Sequence, residues 1–68
     1  MKKKWLGKID KCDLCGKELS MFSEFIDGRT DLGSWALMCP ICHHLYGVGL
    51  GAGRGQMYDY NSREKLEG

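Results

Sequence analysis

The sequence predicts a small α+β domain whose limited core is completed by a bound ion. Three observations carry that expectation. The chain has only 68 residues. Its four cysteines form two C-x-x-C pairs, Cys12/Cys15 and Cys39/Cys42, with 23 residues between them. The pairs are followed by different local signals, a glycine after the first and a helical pattern after the second.

Length comes first because it limits what hydrophobic burial can do. A chain of this size buries only about 60% of its unfolded surface, and such domains commonly need disulfides, a metal or a partner chain. The hydrophobic content of 43% is ordinary for a globular protein and argues against wholesale disorder. No window offers the roughly 18 consecutive apolar residues of a membrane span. The start, "MKKKWLGKID", is basic but has no apolar stretch of the kind found in secretory signals. A cytoplasmic location and no membrane partner are therefore expected. In a reducing compartment, paired cysteines read as metal ligands before disulfides.

Two C-x-x-C pairs at this separation match a four-cysteine zinc site. A two-residue gap lets one tight turn present two sulfurs to one ion, and a tetrahedral ion needs two such turns. The long gap accommodates a β-hairpin that returns the second pair to the first. A redox motif of the thioredoxin kind would need a βαβ scaffold that so short a chain cannot supply. The expected cofactor is one structural Zn²⁺ held by Cys12, Cys15, Cys39 and Cys42, with no coordination position left for catalysis.

Taken in order, the first pair reads as a knuckle, with Gly16 supplying a positive φ after Cys15. "LSMFSEFIDGRT" then suggests a strand ending in a turn at Asp27-Gly28. "DLG" at 31–33 is a second turn candidate, and "SWALM" at 34–38 reads as a strand. The second pair opens a short helix, with Cys39 as N-cap, Pro40 at the first helical position, Ile41 and Leu45 on one face and Gly47 at the end. Knuckle, hairpin and ligand-bearing helix make a treble-clef-like finger; a zinc ribbon with two knuckles is the alternative. Phe22, Phe25, Ile26, Trp35, Leu37, Ile41 and Leu45 are the core candidates.

The segment "YGVGLGAGRGQMY" has glycine at 47, 49, 51, 53 and 55. It lacks the lysine and hydroxyl residue of a P-loop and the polarity of a linker. If residues 47–56 are extended, all five glycines share one bare face. Residues 1–8 are expected as a basic arm, 61–68 as a polar, frayed tail, and 1–68 as one domain.

Net charge is +1, and a Zn²⁺ bound by four thiolates would bring it near −1. Charge is nonetheless uneven: residues 1–17 are net positive and residues 18–31 net negative. Lys2, Lys3, Lys4, Lys8 and Arg54, with Trp5 and Tyr58 as stacking aromatics, are candidate nucleic-acid contacts. A protein-binding adaptor or inhibitor is the alternative, using the glycine edge for strand addition and the acidic stretch Glu18–Asp31 as a charged face.

"CDLCGK" and "WALMCPICHH" resemble the cysteine framework of zinc-bearing HNH endonucleases. That resemblance implies a ββα metal finger with a catalytic histidine on the hairpin between the pairs. This chain has no histidine between Cys15 and Cys39; its two, His43 and His44, follow Cys42. No catalytic residue is carried over, and a nuclease is only a remote alternative to a non-enzymatic module. The run from "CDLCG" through "FIDGRT" and "GSWALMCPIC" to the glycine stripe also looks like short zinc-finger reading frames of bacteriophages. That likeness implies a small phage protein that binds nucleic acid or a host protein.

Overall fold

The computed structural model describes residues 4–68. Four strands, β1 (Glu24–Arg29), β2 (Trp35–Met38), β3 (Gly55–Asp59) and β4 (Lys65–Glu67), form one antiparallel sheet in the order β2-β1-β3-β4. A 3₁₀ turn at Leu19–Met21 precedes the sheet, and one helix, α1 (Pro40–Tyr46), follows β2. Among the described residues, no helix is long and apolar enough to cross a membrane.

The β1–β2 hairpin turns at residues 30–34, so "DLG" is a turn as expected. Thr30 is buried, and both its N–H and its hydroxyl donate to the Ser34 carbonyl, at 2.9 and 3.0 Å. Gly33 supplies the positive φ, +96°. Asp27-Gly28, in contrast, is not a turn. Both residues lie within β1, opposite Leu37 and Ala36 on one side and Gln56 and Gly55 on the other. Gly28 is needed there for close approach. A Cβ at this position would lie 2.9 Å from the Arg54 carbonyl oxygen and 3.1 Å from Gly55 Cα.

The glycine stripe is likewise not an extended strand with one bare face. Gly49, Gly51 and Gly53 have φ of +102°, +125° and +75°, so the segment winds through turns that L-residues adopt poorly. Its carbonyls and amides bond internally: Gly51 N–H donates to the Gly55 carbonyl, and Arg54 and Gly55 N–H donate to that of Gly51. Gly47 ends α1 at an ordinary φ of −76°. It is small for a steric reason, since a Cβ there would lie 2.7 Å from the His43 carbonyl oxygen. Only Gly55 enters β3, which is interior to the sheet with both edges paired. No glycine edge is open for strand addition along it.

The segment expected as a frayed tail makes backbone contacts and contributes β4. Asp59 N–H donates to the Glu64 carbonyl and Ser62 N–H to the Asp59 carboxylate, at 2.8 and 2.7 Å. These bonds turn the chain into β4, with Arg63 at a left-handed φ of +68° and its guanidinium 4.7 Å from the centre of the Tyr60 ring. The hydrogen bond from the Ser62 backbone holds the Asp59 carboxyl below its ordinary range.

Leu19, Phe25, Ile26, Ala36, Met38 and three cysteines form the buried core, with Phe22 and Leu37 partly buried against it. Trp35, Ile41 and Leu45, expected inside, are half or more exposed. Cys42 is the one buried residue of α1. The helix therefore turns its cysteine inward, which leaves Ile41 and Leu45 on an outer flank.

Gly28→Ala is expected to lower stability by about 1–3 kcal/mol, the usual cost of overpacking. Denaturant titration of the metal-loaded protein measures it. An unchanged midpoint would mean that β1 and the Arg54–Gly55 backbone do not meet at this point.

Candidate metal centre

Two segments bring the four cysteines together. In the first, the chain from Lys11 to Glu18 folds back on itself. Lys11 bridges Glu18, Cys12 N–H donates to the Lys17 carbonyl at 2.8 Å, and Gly16 N–H donates to the Cys12 carbonyl at 2.9 Å. Gly16 takes the expected positive φ, +78°. In the second, β2 delivers Cys39 directly after Met38, and α1 places Cys42 one turn later. Cys39 is the N-cap, and its sulfur accepts from Cys42 N–H at 3.5 Å.

The knuckle is fastened to the free edge of β2 by one residue that spacing rules do not single out. Asp13 N–H donates to the Leu37 carbonyl, and Leu37 N–H donates to the Asp13 carboxylate, both at 2.8 Å. Asp13 thus extends the sheet by one reciprocal pair and fixes the height of Cys12 and Cys15 against Cys39. Its position inside the first C-x-x-C pair was the only signal available in the sequence.

The four sulfurs all lie within 4.8 Å of one another, and Cys15 and Cys39 sulfurs are 3.9 Å apart. A tetrahedral site with metal–sulfur bonds of about 2.3 Å has sulfur–sulfur edges of about 3.8 Å. The cluster therefore fits one metal ion. Cys12, Cys39 and Cys42 are buried and Cys15 is exposed. Without a cation the four groups compete. Burial, then the neighbouring Cys12, Cys15 and Cys39, push the Cys42 thiol strongly up. Burial also opposes the Cys12 thiolate, but hydrogen bonds from the Cys15, Cys39 and Leu14 backbone and from the Cys15 side chain outweigh it and bring that thiol down to about 7. A divalent cation relieves this conflict, because it stabilises all four thiolates together.

The other candidate residues are scattered. Lys2 and Lys3 lie outside the described residues. Lys4 is exposed and its backbone forms an isolated antiparallel β-bridge with that of Glu64, and Trp5 N–H donates to the Arg63 carbonyl at 2.7 Å. The chain at Lys4 and Trp5 is thus tied to the β4 end rather than forming a free arm. Trp5 packs edge-on against Phe25 and Tyr58, and Phe25 stacks on Tyr58, with centroids 5.4–5.5 Å apart. Trp5 and Tyr58 are thus members of an internal aromatic cluster. Burial, then the Asp27 carboxylate, raise the Tyr58 hydroxyl's pKa. Lys8 and Arg54 are exposed, and the structure does not group Arg54 with Trp5 and Tyr58. His43 is not a ligand; its Nε2 pairs with the Gly49 carbonyl at 3.2 Å.

No protein family, curated protein or solved structure matches the chain. The resemblances to HNH endonucleases and to phage zinc-finger reading frames gain no support from those comparisons.

Two outcomes test the centre. Removal of the metal by a chelator should unfold the domain, since binding of a structural ion contributes roughly 10–16 kcal/mol in small metallodomains; retained far-UV circular dichroism would contradict this. Asp13→Ala should weaken metal retention about tenfold in a chelator competition, whereas Asp13→Asn, which keeps an acceptor for Leu37 N–H, should lose less.

Proposed function

We propose that this chain is a non-enzymatic, zinc-stabilised binding module of the treble-clef kind, working in the cytoplasm and engaging another protein. Zinc suits the site because four soft thiolates in a closed tetrahedral set are its preferred structural environment. The order knuckle, hairpin, helix supports the treble-clef reading over a two-knuckle ribbon, because Cys42 lies within a helix. A non-catalytic role is supported by four cysteines filling one ion's coordination and by the engagement of His43 with Gly49.

One observation carries the protein-binding reading. Leu14, Leu32, Ile41, Leu45 and Tyr46 are all exposed apolar side chains, and they line two adjoining clefts that share Leu14 and Tyr46. A contiguous apolar surface around a small metal site is characteristic of an interaction surface. The likeness to phage reading frames suggests a host protein as the partner.

Nucleic-acid binding is the second reading, and a different surface favours it. Arg29 pairs with the half-exposed Trp35 across β1 and β2, and Arg29 N–H bonds the carbonyl of exposed Arg54. A half-exposed aromatic beside one exposed arginine on the same sheet face suits a single strand.

Affinity capture with zinc-loaded protein separates the two. The expected result is a stoichiometric protein retained after nuclease treatment and lost with the Ile41→Ser/Leu45→Ser variant. Recovery of nucleic acid alone, abolished by nuclease or by Trp35→Ala, would replace the first reading with the second.

A further inference from the structure

The groove that carries the protein-binding reading also has a charge pattern. Its first cleft, about 190 Å³, is lined by Leu14, Cys15, Ile41, Leu45 and Tyr46, with Lys17 and the buried cysteines Cys39 and Cys42 at its base. Its second, about 230 Å³, is lined by Leu14, Thr30, Asp31, Leu32 and Tyr46. Each is smaller than the roughly 300–1,000 Å³ of a small-molecule pocket, and so each suits a single large side chain rather than a free cofactor. The walls are fixed to one another. Asp31 N–H donates to the Tyr46 carbonyl at 2.8 Å, joining the hairpin turn to the end of α1, and Asp13 joins the knuckle to β2.

With an ion held by the four thiolates, this lining would carry net negative charge, since Asp31 and Lys17 offset each other. Asp31 contributes a carboxylate in the second cleft. Cys15, the exposed ligand, presents its sulfur in the first, and four thiolates around one divalent ion leave two negative charges on the cluster. Lys17 is the single cation among the lining residues. A thiolate accepts charge-assisted hydrogen bonds, and Lys and Arg are the side chains that provide them.

We infer that the groove takes a cationic amphipathic protein segment, one that seats two apolar side chains in the adjoining clefts and sets Lys or Arg beside Asp31 and Cys15. This rests on the protein-binding reading above. Two other occupants fit less well. The backbone of the chain's own Lys4 pairs with that of Glu64, beside β4, on the far edge of the sheet from β2. A second copy would need about 800 Å² per partner for a stable interface, whereas five partly exposed side chains offer a patch of roughly a few hundred Å².

The test uses the zinc-loaded protein and two synthetic helical peptides of equal length. Both carry the same Leu/Phe face; one has a Lys/Arg polar face, the other a Glu polar face. Titration calorimetry at low and high salt reads the affinities. The cationic peptide should bind at least about tenfold more tightly at low salt, with the advantage shrinking as salt screens it. Asp31→Lys should narrow the difference several-fold. Ile41→Ser/Leu45→Ser should weaken both peptides at least about tenfold while leaving metal content and circular dichroism unchanged; Trp35→Ala should leave both affinities as they were. Equal or tighter binding of the Glu peptide would overturn the cationic assignment while leaving a protein-binding groove. Binding of neither peptide would overturn both. A concentration-dependent dimer in sedimentation, broken by Leu45→Ser, would give the groove to a second copy and overturn the assignment as well.

Discussion

Convergence of four sulfurs is the constraint on which the rest of this domain depends. Among the described residues the buried core contains eight apolar ones, and three of them are cysteines. Hydrophobic burial on that scale offsets little of the chain entropy that folding removes. An ion held by the four cysteines would supply what the core lacks, at the junction of knuckle, β2 and α1. Each of those elements is too short to persist alone. A helix of seven residues is well below the length that is stable in water, and the knuckle is a single turn.

The sheet is built to meet the same junction. Asp13 binds the outer edge of β2 in both directions, so the strand that delivers Cys39 is flanked by β1 on one side and by the knuckle on the other. On the inner side, Gly28 and Gly55 face each other across β1 and β3. Their missing side chains let the glycine loop lie against the sheet, and a Cβ at Gly55 would stand 3.2 Å from the Gly49 carbonyl oxygen. That same carbonyl pairs with His43 on α1. Helix, loop and sheet are thus joined through backbone contacts where a larger residue would hold them apart.

These contacts explain what was legible in the sequence and what was not. The cysteine set, the turn at Gly16, the N-cap at Cys39 and the helix from Pro40 follow from local rules, and each is present. The glycines were misread because glycine serves two purposes that sequence does not separate. At Gly33, Gly49, Gly51 and Gly53 it provides positive φ, whereas at Gly28, Gly47 and Gly55 it removes a side chain that would collide with backbone. The second purpose is tertiary, so an Asp-Gly pair inside a strand looks like a turn, and a period of two looks like a strand. Asp13 was hidden for a similar reason: its partner Leu37 is distant in sequence. Trp5 and Tyr58 looked like stacking residues because each lies beside polar neighbours in the chain, and only the fold brings them onto Phe25.

The same economy accounts for the exposed groove. In a domain stabilised by burial alone, Ile41 and Leu45, four apart on one helical face, would point into the core. Here the helix is oriented by Cys42, whose sulfur must reach the cluster, and the apolar pair sits on the adjacent flank. Convergence of the cysteines takes over the orienting role that packing normally plays, and this frees the apolar side chains. Keeping them in water costs stability, at about 25 cal/mol for each Å² left unburied. A chain this small leaves Leu32 at 89% exposure and Leu45 at 60% exposure around one groove. An ion bound by the cysteine cluster would make that arrangement tolerable, and under the proposed protein-binding role a segment covering the groove would recover the hydrophobic free energy that the fold leaves unused.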